Sequence, residues 1–176
     1  MLRTRVIPCL LLRNGGLVKT VRFESPRYVG DPINAVRIFN QKEVDELIFL
    51  DISATTAARG PNFEMIRDIA SEAFMPFGYG GGVASIEDVR RLVAIGVEKV
   101  LLNAAAVHRP ALISDAAEVA GSQSVVVSID VKRSLLGRYE VVTHNGQRRT
   151  GLSPVDWARK VEALGAGEIV LNSVDR

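Results

Sequence analysis

Side chains able to hold a proton or an anion stand at the close of several apolar stretches in this sequence. "LIFLDIS" carries Asp51, "KVLLNA" carries Asn103, "SVVVSID" ends on Asp130, and "RVIPCLLL" contains Cys9. An acid at the mouth of a buried stretch is a candidate general base, because partial burial raises its pKa toward neutrality. Asp130 and Asp51 both fit that description. Each also has a plainer role open to it, as a carboxylate that caps a helix or braces a loop. Cys9 is open to reading as a small buried hydrophobe, since no histidine lies near it in sequence. The run "GYGGGVASIEDV" places Gly80, Gly81 and Gly82 just before a helix start. Backbone amides in such a run can approach an anion closely and add the positive end of the helix, and phosphate is the natural guest. The alternative is a tight turn that requires positive φ. Asn103 could add a side-chain amide to that cradle. His108 and His144 have no partner at metal-ligand spacing and are assigned no chemistry. A second set, Arg5, Glu46, Lys99 and Glu168, stands at the starts of apolar runs, where a stabilising salt-bridge network is the plain expectation.

These residues need elements to hold them. Six apolar runs of strand length recur, over residues 5–12, 47–53, 74–80, 99–104, 124–130 and 168–174. They show almost no polar alternation, as expected of parallel strands covered on both faces. Helical patterns lie between them. In "SIEDVRRLVAIGVE", Ser85 is the expected N-cap with Asp88 three residues on, and Gly96 the stop; "SPVDWARKVEALGAGE" repeats this with Ser153, Pro154 and Gly165. Strand and helix in alternation make an α/β fold. The strand starts lie about 42, 27, 25 and 25 residues apart and then about 44, as though a unit of four begins again. In that alignment Leu11 is equivalent to Asp130, and Glu46 to Glu168. A four-plus-four repeat makes an eight-stranded barrel, and this chain supplies about six units of it. The expectation is a single partial barrel domain over 1–176, with one half-barrel repeat over about 1–121 and the start of a second over about 122–176. By the same count the chain is expected to be a fragment lacking roughly 70 to 80 residues.

Composition narrows the partners. With 22 basic and 20 acidic residues spread along the chain, no basic stripe suited to a phosphate backbone stands out, so nucleic acid is not an expected partner. The single cysteine cannot make an internal disulfide, and no signal peptide or membrane-length apolar run is present. A cytoplasmic location follows as the expectation.

Taken in order, "RVIPCLLL", "GLVKTVRFE", "VGDPI", "VDELIFLDISA", "GGGVASIEDVRRL", "GVEKVLLNAAAV", "GSQSVVVSIDVKR", "THNGQRRTGLSPVDWA" and "LGAGEIVLNSVDR" resemble the cyclase subunit family of imidazole glycerol phosphate synthase. The resemblance implies a TIM (β/α)8-barrel fold, here incomplete, and a HisH-type glutaminase subunit as partner in a heterodimer. It implies a phosphorylated small-molecule substrate and calls for no cofactor and no metal. Asp130 would be the catalytic base. Cys9, Lys19, Asp51, Gly81, Gly82 and Asn103 would line the substrate site, with Gly82 and Asn103 at one phosphate. A second phosphate cradle would belong to units beyond Arg176. Lys19 would sit in a mobile lid, the turn-rich loop from Arg13 to Asp31. Arg5, Glu46, Lys99 and Glu168 would form a gate through which ammonia enters the barrel floor. The family reaction turns the phosphoribulosyl carboxamide ribotide precursor into imidazole glycerol phosphate and the purine-pathway carboxamide ribotide, in histidine biosynthesis.

The sequence departs from the family pattern at Leu11, which stands where an aspartate acts as acid partner to the equivalent of Asp130. A leucine can neither give nor take a proton. The run Leu10-Leu11-Leu12 looks more like divergent relatives found in surface-polysaccharide gene sets, which help convert an acetamido group on a sugar to an acetamidino group. A third possibility is a non-catalytic half-barrel that binds the glutaminase.

Overall fold

The structure, a computed structural model, describes residues 4–134 and 137–175; Arg176, where the sequence reading ends the sixth unit, lies outside them. Strand β1 (Cys9–Arg13) turns into a hairpin, β2 (Gly16–Val21) and β3 (Glu24–Gly30), followed by α1 (Pro32–Gln41). Then come β4 (Leu47–Asp51), α2 (Phe63–Glu72), β5 (Phe77–Gly80), α3 (Ile86–Ile95) and β6 (Lys99–Leu102). A short α4 (Ala104–His108), α5 (Ala111–Ala120) and a 3-10 turn (Ser122–Ser124) lead to β7 (Val125–Arg133). A second hairpin, β8 (Tyr139–Thr143) and β9 (Arg148–Arg149), precedes α6 (Pro154–Ala163) and β10 (Glu168–Ser173).

Six of these strands, β1, β4, β5, β6, β7 and β10, pair in chain order, and every pairing is parallel. Each overlaps one of the six apolar runs, with β1 continuing to Arg13 and β7 to Arg133. The sheet curls, since Arg5 ahead of β1 reaches Glu168 at the start of β10, 2.8 Å away, but it does not close: β10 pairs only with β7 among the described residues. Its outer-face side chains Ile169 and Leu171 are 41% and 66% exposed.

The two faces of the sheet differ in what they bury. Phe49, Tyr79, Val100, Leu102 and Val127 on the outer face pack with Ile66, Ile69, Val89, Leu92, Leu112 and Ile113 of the helices. Each large side chain so buried contributes about 1.5–3 kcal/mol. On the inner face only Ile48, Leu101 and Val126 form a buried cluster, edged by Ile7, Leu50 and Val170. This thin inner layer leaves room above it.

The caps follow the sequence. Ser85 and Asp88 complete a reciprocal capping box on α3, which ends on Gly96 at φ 108°. Ser153 caps α6, with Pro154 in the first turn.

Two expectations need correction. The stretch from Arg13 to Asp31 is mostly the β2–β3 hairpin rather than a loop. Asn14 and Gly15 have φ of 51° and 82°, the left-handed pair that a tight two-residue turn between Arg13 and Gly16 requires. Cys9 begins β1 instead of closing it. Pro8 has no N–H to give a ladder, and its carbonyl accepts from Ile48 N at 2.9 Å as pairing begins.

Candidate functional site

A cavity of about 450 Å3 lies at the C-terminal ends of the parallel strands. Asp130 projects into it from β7, and its carboxylate is held by two amides. Asn103 Nδ2 donates to Oδ2 at 2.9 Å and Asn172 Nδ2 donates to Oδ1 at 3.1 Å. Burial pushes the Asp130 pKa above the ordinary carboxylate range; the Asn172 and Asn103 hydrogen bonds pull it down by less. The result is a carboxylate that takes up a proton more readily than a solvated one and has its orientation fixed.

Asn172 is absent from the sequence-level candidates. It sits on β10 in register with Asp130, so a polar residue near the end of the sixth apolar run was the available signal. Lining the same cavity are apolar side chains, Leu11, Leu50, Leu101 and Val170, together with Cys9. Burial pushes the Cys9 thiol up to about 11, so it stays protonated at neutral pH and is no thiolate nucleophile.

Asp51 is brought to the same cavity but is engaged locally. Its Oδ1 accepts from Ser53 N (2.9 Å), Ser53 Oγ (2.6 Å) and Ala54 N (3.1 Å), which braces the loop after β4. Gly81 and Gly82 have φ of 113° and 73°. A Cβ at Gly81 would strike the Asp51 backbone, and one at Gly82 the Arg59 carbonyl, so both glycines are required by packing. The expected contribution from the α3 helix end is taken up by Asp88, whose carboxylate accepts from the amides of Ala84 and Ser85. The Asn103 amide likewise turns to Asp130 and to Ser128 O (3.0 Å) rather than toward the glycines.

Lys19 does not line the cavity. On β2 it shares a face with Leu17, which packs into the helix-side core, while Thr20 on the other face reaches the cavity with Arg22 and Phe23 from the hairpin turn.

Arg5, Glu46, Lys99 and Glu168 meet on the opposite, N-terminal end of the sheet. Arg5 bridges Glu46 (3.0 Å) and Glu168 (2.8 Å), and Lys99 joins Glu168 at 2.8 Å. Lys99 Nζ also donates to Gln123 O at 2.6 Å. Burial pushes the Glu46 carboxyl up, and nearby Lys99 and Arg5 offset only part of that. At Glu168 burial also raises the pKa, but hydrogen bonds from Lys99 and Arg5 outweigh it and leave the carboxyl below its usual range.

Comparison with known proteins places the chain in a family. The profile of the histidine biosynthesis protein family matches residues 5–176. The chain is 53% identical over 176 residues to a Pseudomonas aeruginosa protein provisionally named imidazole glycerol phosphate synthase subunit hisF2, with 100% of this chain and 70% of that relative aligned. A Leptospira interrogans protein, provisionally named subunit HisF of the same synthase, is 51% identical over 177 residues with the same coverage of 100% and 70%. The imidazole glycerol phosphate synthase subunit HisF of Alkaliphilus metalliredigens is 44% identical over 176 residues, again with 100% and 70% covered. With identity of this level along its whole length, and six parallel strands of a TIM barrel behind the cavity, the chain belongs to the histidine biosynthesis protein family, among its HisF-type members.

Proposed function

We propose that this chain is a synthase subunit that adds ammonia, delivered by a HisH-type glutaminase partner, to an electrophilic carbon held beside Asp130. One observation carries the reading: a carboxylate with a raised pKa, oriented by Asn103 and Asn172, stands in a cavity at the catalytic end of the parallel strands. When ammonia adds to a carbonyl carbon, the new C–N bond leaves a proton on nitrogen. Asp130 takes that proton and returns it to the carbonyl oxygen, giving a hydroxyl and an amine on one carbon; a second proton carried from nitrogen to the hydroxyl lets it depart as water and leaves a C–N double bond. In the family reaction the acceptor is the phosphoribulosyl precursor, and ring closure releases imidazole glycerol phosphate and the carboxamide ribotide. The ring of Arg5, Glu46, Lys99 and Glu168 is the proposed ammonia gate, and Cys9, Asp51, Gly81, Gly82 and Asn103 belong to the proposed substrate site. Within the described residues no helix is long and apolar enough to cross a membrane, and the reaction is proposed to run in the cytoplasm.

A second reading is favoured by Leu11. It lies on the cavity wall where an acid partner is expected, beside Leu50 and Leu101. An acetamido sugar suits that wall, since its methyl group needs no polar contact and its amide carbon gains one nitrogen and loses one oxygen as water.

Ammonium chloride supplied with each acceptor in turn separates the two. Turnover of the ribulosyl precursor, or its appearance on Leu11→Asp, supports the histidine-pathway reaction; turnover of the acetamido sugar alone supports the other. Under either, Asp130→Asn is expected to lower kcat by about 10²–10⁴-fold. Unchanged ammonia-driven turnover in that variant would sink both.

A further inference from the structure

A second cavity, of about 530 Å3, opens beside the first and shares Gly81, Asn103 and His144 with it. Basic side chains converge on it from three segments: Arg59 from the loop after β4, His108 from the end of α4, and His144 and Arg148 from the β8–β9 hairpin. Asp88 also lines it, but its Oδ2 is already engaged by Ala84 N (3.1 Å), Ser85 N (2.9 Å) and Ser85 Oγ (2.8 Å). Two guanidiniums, Arg59 and Arg148, therefore border the space, and an anion there would relieve their mutual repulsion.

The arginines are placed by the fold. Arg148 and Arg149 are neighbours on β9, and strand alternation sends them opposite ways. Arg149 turns to Glu140 at 2.8 Å, whereas Arg148 lines the cavity. Arg59 is aimed by a relay in which its Nη2 donates to Ser53 Oγ (3.1 Å), which in turn donates to Asp51 Oδ1 (2.6 Å). The hairpin bearing His144 and Arg148 is pinned to the loop that carries Arg59, because Asn145 Nδ2 donates to Ile52 O at 2.9 Å. Guanidinium forks match phosphate oxygens in pairs, and the peptide groups of Gly81 and Gly82 leave the opposite wall free of side-chain bulk.

The geometry points to Arg148 and Arg59 as a side-chain clamp on the phosphate of an elongated ligand whose other end lies beside Asp130, with His144 at the junction of the two cavities. This rests on the reading of the chain as an enzyme for a phosphorylated substrate. It adds that the phosphate is gripped by side chains from the β4 loop and the β8–β9 hairpin together, beyond any contact with the glycine backbone. Asp51 becomes a positioning residue, acting on the phosphate through Ser53 and Arg59.

Phosphorus NMR titration of the protein with glycerol 3-phosphate tests the clamp. Arg148→Ala is expected to weaken binding about tenfold or more, Arg148→Lys to recover part of it, and Arg149→Ala to change nothing. Arg148 has no hydrogen-bond partner among the described residues, so an unchanged melting temperature is expected for its variants. Equal binding by the protein and by Arg148→Ala would overturn the clamp and leave the phosphate-substrate reading standing. No binding of the ester by the unsubstituted protein would remove that reading, and the clamp with it.

Discussion

At the scale of the residue, the environment that equips Asp130 for proton transfer also makes it costly. Burial raises its folded-state pKa above that of the unfolded chain. The folded state then binds more protons than the unfolded state between the two values, so stability falls as pH rises through that window and stays lowered above it. Asp130→Asn keeps the shape and removes the charge, and Asn172 can turn its amide oxygen toward the new donor. The expected outcome is a higher urea midpoint than the parent at neutral pH, with the gap closing as pH falls below about 3.9, where the parent carboxyl becomes protonated in both states. A gap that stays constant across pH would show that the charge is not the cause. A gain in stability with loss of turnover is the pattern expected of a functional carboxylate held in an apolar site.

At the scale of the element, the ring on the sheet floor makes a separate demand. Lys99 is tied to Glu168 and to Gln123 O, while Glu46 is tied through Arg5. If this ring gates ammonia, Lys99→Ala should change glutamine-driven turnover with the glutaminase present by about tenfold, equivalent to about 1.4 kcal/mol, and leave turnover driven by added ammonium unchanged. Equal effects on both nitrogen sources would instead mark the ring as a structural network. The six parallel strands and the caps at Ser85 and Ser153 were legible because burial on both faces and capping chemistry leave local marks in sequence. The two hairpins were less so. Asn14-Gly15 is a recognisable turn signal that the richness of the stretch in polar and turn residues obscured. Which face of β2 turns inward, and hence that Thr20 rather than Lys19 meets the cavity, depends on a register set only by that turn. Asn172 could not be paired with Asp130 from either local pattern, because their contact spans two strands brought into register by the sheet.

At the scale of the whole molecule, β1 with its β2–β3 hairpin is echoed by β7 with its β8–β9 hairpin, each followed by a helix and another parallel strand. This echo supports the proposal that residues near 122 restart a half-barrel repeat. It also explains how segments distant in sequence, one turn from each unit, come to stand over one cavity. The curled sheet divides labour between its faces. Leu102 points outward into the helix-packed core and is fully buried, whereas Leu50 points inward at the cavity wall and is half-buried. Leu102→Ala is expected to cost about 2–5 kcal/mol, since close-packed neighbours cannot collapse into the space. Leu50→Ala is expected to cost less than about 1.5 kcal/mol, because solvent already reaches that wall, while altering which acceptors the cavity takes. Urea unfolding of the two variants measures the difference directly. Comparable losses would mean that the inner layer carries as much of the fold as the outer, and that the cavity is not free to vary its apolar wall without endangering the barrel.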